Sequence, residues 1–211
     1  MLKFRLTVVF LAAVISYANS QRVWNQFWKL SFPEQRWVVF HPFAAKKAWR
    51  ISEYVREVTD SVKKDTILIG DGNAGQVDAF RHTFWMALLV QEISWKKARR
   101  LGIVHEKGNK RDFKKKRLED KQLPDSISCE MDLFNNSVGI RIGKTHRDTS
   151  GKALKNIVIR AVLEGECKII KRDKNGNFLD GSGNALKPEE WQGKWGNMRC
   201  LVWSDYPNID R

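Results

Sequence analysis

Apolar residues recur at helical spacing along most of the chain. From Pro42 to Lys64 they return every three or four positions, and residues 127–142 and 153–163 show the same pattern. This periodicity predicts amphipathic helices that each bury one face. Residues 77–101 are apolar on nearly every side between Phe84 and Val90, which predicts a helix through the centre of the fold. We therefore predict a mainly α protein, a single helical domain around a central buried helix.

The pattern changes to short β-type segments after Gly165. Residues 167–171 and 177–179 flank Asn175-Gly176, a pair that favours a two-residue hairpin turn. A segment rich in tryptophan follows. Residues 166–211 are thus predicted to form a small C-terminal β-hairpin and a Trp-rich tail.

The first 20 residues have the layout of a secretory signal peptide. Lys3 and Arg5 precede an apolar run over residues 6–15, and the small-residue end Ala18-Asn19-Ser20 follows. This pattern predicts that residues 1–20 are removed, that the protein is exported to the periplasm or secreted, and that residues 21–211 form one domain. No later stretch approaches about 18 consecutive apolar residues, so no integral membrane span is expected after removal.

The chain carries a strong positive charge. Its 38 Lys and Arg against 24 Asp and Glu give a net charge of +14. Residues 107–117 alone hold seven Lys or Arg and one Asp. We interpret residues 107–121 as a solvated basic insertion outside the packed body, and residues 107–117 as a contact for an anionic envelope component or another polyanion.

Residues 21–43 are unusually aromatic, with rings at Trp24, Phe27, Trp28, Phe32, Trp37, Phe40 and Phe43. The favoured interpretation is that these rings pack over the core, because each buries about 150 to 250 Å². The alternative is a contact with a membrane interface, since aromatic rings beside Lys and Arg suit a headgroup region. Exposure of the rings distinguishes the two.

Three cysteines, Cys129, Cys167 and Cys200, lack the spacing of metal ligands. Export would allow a disulfide to persist, and Cys167 with Cys200 is the first candidate pair. Unbridged thiols are an equal alternative.

Three polar clusters interrupt the helical pattern between residues 78 and 136. They are Asp78-Ala79-Phe80-Arg81-His82, His105-Glu106, and Met131-Asp132-Leu133-Phe134-Asn135-Asn136. Asp78 and His82 lie four residues apart and share a helix face, so Asp78 can orient the imidazole of His82. Asp132, Asn135 and Asn136 follow helical steps and predict one polar face. The alternative is structural, with Asp78 as a helix cap, Arg81 in an ion pair and His82 in the core.

These clusters predict a polar site for hydrolysis if they converge. His82, His105, Glu106 and Asp132 form a nitrogen and oxygen set that suits one divalent metal ion such as Zn, Mn or Fe(II). The candidate catalytic residues are Arg81, His82 and Glu106, with Arg81 stabilising developing negative charge. A metal-free acid–base pair of His82 and Glu106, or a purely structural polar network, stays open. Convergence requires the chain to turn back near Gly102, because a straight helix from residue 78 to residue 101 spans about 35 Å.

The order of these motifs resembles a bacterial domain family of unknown function. Its members show a similar series of AFRH, HE and MDxxNN, matched here over roughly residues 70–145. The resemblance implies a motif-bearing helical core, and it makes seven residues the family's polar positions: Arg81, His82, His105, Glu106, Asp132, Asn135 and Asn136. It implies no particular activity.

Three functions follow from these patterns. The first is an exported hydrolase acting on an anionic or ester substrate. The second is a non-enzymatic envelope binding or scaffolding domain whose polar network is structural. The third is a nucleic-acid or lipid binder that works through residues 107–117.

Overall fold

The computed structural model describes residue 21 and residues 24–70, 72–118 and 122–206. The signal peptide predicted for residues 1–20 lies outside these residues. The elements that follow a short helical segment at residues 24–29 are α1 (Phe32–Phe40), α2 (Pro42–Lys64), α3 (Gln76–Glu92), α4 (Trp95–Lys114), α5 (Ser126–Thr145), α6 (Gly151–Leu163), β1 (Lys168–Ile170), α7 (Pro188–Trp191) and β2 (Leu201–Trp203). The prediction of a mainly α fold with a small C-terminal antiparallel pair of strands is confirmed. Across the described ranges, no helix combines the length and hydropathy that crossing a membrane requires.

Helix α3 occupies the centre, as its apolar sequence predicts. Phe80, Phe84, Met86 and Leu89 are fully buried, and the helix packs between α2, α5 and α6. Helix α5 approaches it closely because glycines replace side chains at the contact. A Cβ atom on Gly139 would lie 2.2 Å from the Thr83 carbonyl oxygen.

The prediction of one helix over residues 77–101 is wrong. Helix α3 ends at Glu92, and α4 begins at Trp95 after a break at Ile93 and Ser94. The Ser94 side chain accepts a hydrogen bond from the Lys97 backbone N–H at 3.4 Å, so Ser94 caps a new helix. The chain therefore reverses about two turns earlier than the expected point near Gly102. This reversal carries α4 back beside α3.

The first part of the basic segment, residues 107–114, belongs to a helix and is not a separate insertion. Residues 107–114 continue α4, and Gly108 and Asn109 on its inner face are buried. A Cβ atom on Gly108 would lie 2.3 Å from the Ser31 hydroxyl oxygen, so glycine allows α4 to pack on the start of α1. The lysines and arginines of this segment are exposed on the outer face of the helix. The expectation that residues 107–114 lie outside the packed body is therefore wrong.

The strand partner also differs from the predicted one. Strand β1 pairs antiparallel with β2, with Lys168 opposite Trp203 and Ile170 opposite Leu201. The turn at Asn175-Gly176 is present, but only a single bridge, Arg172 with Phe178, closes it. A second loop repeats it seven residues later, because D-x-x-G-N-x-L occurs at 173–179 and again at 180–186. In each loop the aspartate side chain accepts backbone N–H groups, and this internal repeat escaped the sequence analysis.

No disulfide joins Cys167 and Cys200. The Cys167 sulfur lies 3.4 Å from the Thr83 hydroxyl oxygen in the core, whereas the Cys200 thiol donates to the Asp180 carbonyl at 3.3 Å. The two cysteines face different surroundings, so the predicted pairing is wrong.

Candidate functional site

A cavity of about 420 Å³ lies between helices α1, α2, α3 and α4. Three of the residues singled out in the sequence line it: Arg81, His82 and His105. Apolar side chains such as Trp37 and Trp85 form other parts of its wall. The reversal of the chain at Ser94 is the reason that residues 23 positions apart share one cavity.

The first turn of α3 fixes Asp78 in place. Its Oδ2 accepts a hydrogen bond from the Ala74 backbone N–H at 2.7 Å, and Ala74 itself holds a left-handed φ of 80°. Its Oδ1 accepts from Arg81, at 2.6 Å from Nη2 and 3.2 Å from Nε. Both carboxylate oxygens of Asp78 therefore have defined partners. The helix N-terminus also favours the negative charge.

His82 lies at the centre of a compact polar group. Its Nε2 atom is 3.5 Å from Asp78 Oδ1 and 3.3 Å from Asp132 Oδ1. Arg81 Nη2 approaches the same nitrogen at 3.3 Å. His82 and both aspartates are buried, and Arg81 is partly exposed toward the cavity that it lines. Burial of two carboxylates is costly unless they have partners, and the guanidinium of Arg81 and the imidazole of His82 provide them.

Asp78, His82 and Asp132 are also arranged as metal ligands would be. One ligand atom from each lies within 4.8 Å of the others, and they form the only such group of three or more within the described residues. Bonds of about 2.0 to 2.2 Å to a tetrahedral ion place ligand atoms roughly 3.3 to 3.6 Å apart. The two distances measured from His82 Nε2 fall in or at the edge of this range. The group can hold one divalent ion through one nitrogen and two oxygens.

The predicted set of four ligands is only half present in that group. His105 points to α1, where its Nδ1 pairs with Glu34 Oε1 at 2.9 Å. Glu106 is buried on another side of α4, and its Oε2 accepts from Asn109 at 3.1 Å. Consecutive helical residues point about 100° apart, so His105 and Glu106 cannot face one ion together. Asp78 takes the place that the sequence had assigned to His105 and Glu106.

The two asparagines of α5 also separate. Asn135 donates to the Lys168 carbonyl at 2.9 Å and accepts from the Lys168 N–H at 2.8 Å, so it holds β1 rather than the site. Asn136 lies one helical turn after Asp132 and packs at Gly102 of α4. Its amide is buried, and neither polar atom has a hydrogen-bond partner in the described part of the chain. The predicted polar face of α5 is thus formed by Asp132 and Asn136.

Glu34 is a site residue that the sequence analysis missed. Burial alone would raise its pKa, but hydrogen bonds from His105 and the Ser31 backbone, with the charge of His105, lower the pKa below its ordinary value. The carboxylate is therefore ionised beside the imidazole, and the contact of 2.9 Å orients the ring of His105. The only local signal was the capping box formed by Ser31 and Glu34 at the start of α1. That signal indicates a helix start and does not indicate a partner 71 residues away.

Comparison with known proteins gives a family and no activity. No curated protein matches the chain, and no solved structure does. One family model matches residues 35–166, which include α2 to α6 and all the polar positions of the site except Glu34. The chain belongs to that family, described as a domain of unknown function (DUF6973).

Proposed function

We propose that the protein is a hydrolase that uses one divalent metal ion, held by Asp78, His82 and Asp132, to cleave an anionic or ester substrate in the cavity between α1 and α4. The observation that carries the proposal is that one ligand atom from each of these residues lies within 4.8 Å of the other two, and that His82 lines the cavity. Three protein ligands with a position left for water are typical of catalytic zinc sites, and structural sites use four.

The chemistry follows from the residues around the ion site. A divalent ion held by Asp78, His82 and Asp132 would supply a water molecule of lowered pKa as the nucleophile for the phosphorus or carbonyl carbon of the substrate. Arg81 carries the positive charge that stabilises the negative charge developing on the substrate oxygens. His105 lines the same cavity and can return a proton to the leaving oxygen, with Glu34 holding the imidazole in place. The bond between the attacked atom and the leaving oxygen breaks, and the water oxygen takes its place.

The Arg81 guanidinium lies where the ion would bind. Its Nη2 atom lies 2.6 Å from Asp78 Oδ1 and 3.3 Å from His82 Nε2, close to where the ion would bind. An ion can enter only if the guanidinium moves toward the cavity, where the guanidinium would meet the substrate.

The contacts of Arg81 with Asp78 and His82 favour a second candidate function. This candidate is a non-enzymatic envelope binding or scaffolding domain in which Arg81, Asp78, His82 and Asp132 form a structural network. A third candidate is a metal-free reaction in which His82 acts as an acid or base while Arg81 stays in contact with Asp78.

Metal analysis of the purified protein separates these candidates. The proposal predicts about one equivalent of a divalent metal, lost in His82→Ala and Asp132→Asn and kept in Asp60→Asn, which makes the same chemical change at an exposed position of α2. The wild-type protein loaded with metal should hydrolyse a nitrophenyl phosphate or nitrophenyl ester, and Arg81→Ala should reduce that rate. Folded protein with neither metal nor hydrolysis would favour the structural network.

The location of the protein in or outside the cell is proposed from the signal-peptide pattern of residues 1–20. We propose an exported protein, periplasmic or secreted, whose substrate is a component of the envelope or of the medium. Detection of a mature chain that begins near residue 21 outside the cytoplasm tests this proposal.

A further inference from the structure

We propose that the outer corner formed by α1 and α2 is a docking surface for an anionic phospholipid bilayer. This corner surface consists of Phe32, Arg36, Val39, Phe40, Phe43 and Lys46. It is separate from the polar site, and the inference does not depend on the proposed hydrolysis.

The rings in this part of the chain are mostly exposed and do not pack over the core. Trp37 is buried at 4% exposure, but Phe40 and Phe43 are 71% and 89% exposed. Phe32 and Val39 are exposed by more than half as well. The interpretation that the aromatic opening covers the core therefore holds for Trp37 and fails for these residues. Water contact with so many large apolar groups in one short stretch marks an interaction surface.

The exposed groups form continuous stripes on the two helices. Phe32, Arg36, Val39 and Phe40 occupy positions i, i+4, i+7 and i+8 of α1, which lie on one face. Phe43, Lys46 and Arg50 lie at positions i, i+3 and i+7 of α2, and Lys47 beside them pairs with Glu92 at 3.1 Å. Only His41 separates the helices, so Phe40 and Phe43 lie at the corner where the stripes meet.

The charge of this region favours an anionic partner. Every exposed charged side chain in residues 24–50 is a Lys or Arg, and the one acid, Glu34, points inward to His105. The Arg111 guanidinium lies 5.2 Å from the centre of the Phe32 ring, so the basic end of α4 adjoins the corner surface. Exposed phenylalanines flanked by Lys and Arg are the composition of interfacial helices that insert apolar groups between anionic headgroups.

Other occupants fit these features less well. A second copy docking through the same corner would bring two sets of positive charges together, because a two-fold interface pairs each patch with itself. The apolar run at residues 6–15 would cover the rings but would leave the cations unmatched. A nucleic acid would match the charge but gains little from Val39 and from rings on a convex corner.

Vesicle flotation with the full chain tests the inference. The probe is a vesicle of phosphatidylglycerol and phosphatidylcholine, compared with phosphatidylcholine alone. Phe40→Ser with Phe43→Ser should weaken binding to the anionic vesicles by about tenfold or more, because two large apolar groups no longer enter the interface. The matched control is Ile67→Ser with Met198→Ser, which removes two other exposed apolar side chains and should leave binding unchanged.

A charge-reversed pair gives an independent measurement. Lys46→Glu with Arg50→Glu should weaken binding to anionic vesicles by about tenfold or more, and added salt should reduce the difference. Lys152→Glu with Arg160→Glu makes the same charge change on exposed positions of α6 and should have a smaller effect. All four variants change exposed side chains, so unchanged thermal unfolding confirms that the fold is intact.

Three results would overturn the inference. The first is equal vesicle binding by the wild-type chain and by Phe40→Ser with Phe43→Ser, including the case in which only substitutions within residues 6–15 abolish binding. The second is dissociation of a dimer by those phenylalanine substitutions with vesicle binding unchanged. The third is loss of oligonucleotide binding in the same variant while vesicle binding persists.

Discussion

His82 on α3 and Asp132 on α5 meet where these two helices pack on each other, with Nε2 3.3 Å from Oδ1. Gly139 allows this approach, because it lies two turns beyond Asp132 and contacts the α3 backbone directly. The glycine contact and the polar contact therefore depend on the same helix spacing. A change in either affects the other.

Metal binding at the proposed ion site should raise the free energy of unfolding as well as support activity. Zinc or manganese at 100 times its Kd would stabilise the wild-type fold by about 2.7 kcal/mol if it binds only the folded chain. Asp132→Asn should show little stabilisation, whereas Asp60→Asn should behave like the wild type. Thermal unfolding with increasing metal measures this difference. An unchanged melting temperature in all three proteins would contradict the ion site.

Gly139→Ala should destabilise the fold. The added Cβ would meet the Thr83 carbonyl oxygen at 2.2 Å and Met86 Cβ at 2.7 Å, so the helices must separate. Overpacking of this kind costs about 1 to 3 kcal/mol, more than the helix propensity gained from alanine. Gly181→Ala is the matched control, because a Cβ atom added at Gly181 would have nothing within 4 Å. Denaturant unfolding should show a lower midpoint for Gly139→Ala and almost none of this loss for Gly181→Ala.

Repeating apolar spacing predicted the helices well where each one faces a single core. Helix α2 begins at Pro42 and ends at Lys64, as its sequence indicates, and Ala44, Ala48, Val55 and Val62 are buried. The same reasoning failed between residues 77 and 101, because two helices with apolar residues on both sides of a break look like one. Ser94 marks the break only through its capping hydrogen bond. Serine is common inside helices as well, so the sequence alone did not fix the boundary.

Of the side chains that the sequence grouped as one set of ligands, the structure brings His82 and Asp132 together and separates His105 and Glu106 from them. His82 and Asp132 come together because α3 packs on α5, and the sequence analysis had grouped the two residues as candidate ligands without predicting which helices pack together. Asp78 was assigned to orient His82, and the structure also places it among the candidate ligands. His105 and Glu106 were treated as one unit because they are adjacent in sequence, whereas helical geometry turns them apart. The pairing of His105 with Glu34, and of Asn135 with Lys168, depends on contacts between distant segments that no local pattern encodes.

Asn135→Ala should loosen the small sheet without affecting the polar site. Its amide satisfies both the N–H and the carbonyl of Lys168, and its loss leaves these groups without that partner at the edge of β1. We expect a loss of about 1 to 3 kcal/mol in the free energy of unfolding. Hydrogen exchange of the Lys168 amide should also become faster. Asn156→Ala, at an exposed position of α6, should change neither quantity.

The thiols should differ in reactivity. Burial raises the pKa of Cys167 to about 11, with its hydrogen bond to Thr83 opposing the shift only in part. The thiolate is the reactive form, so Cys167 should stay unlabelled at pH 8 in the folded protein. Cys200 is partly exposed and should react faster. Mass-spectrometric mapping after labelling measures both rates, and denatured protein should show labelling of both. Rapid native labelling of Cys167 would contradict its burial.

Glu34→Gln tests the ion pair that holds His105 beside the cavity. Because the pKa of Glu34 is lowered in the folded state, the ionised carboxylate stabilises the fold above its ordinary pKa of 4.5. That stabilisation is lost as the pH falls through the lowered folded-state pKa. The wild type should therefore exceed Glu34→Gln in unfolding free energy by about 1 to 3 kcal/mol at pH 6, and the difference should shrink below pH 4.5.

The pH dependence distinguishes this pair from a packing effect. Glutamine has nearly the shape of glutamate, so a loss caused by packing would be the same at pH 6 and at low pH. Glu57→Gln, at an exposed position of α2, supplies the control for charge removal alone. Urea unfolding of the three proteins between about pH 3 and pH 6 gives the comparison. A constant difference across this range would show that the Glu34 carboxylate does not act through its charge on His105.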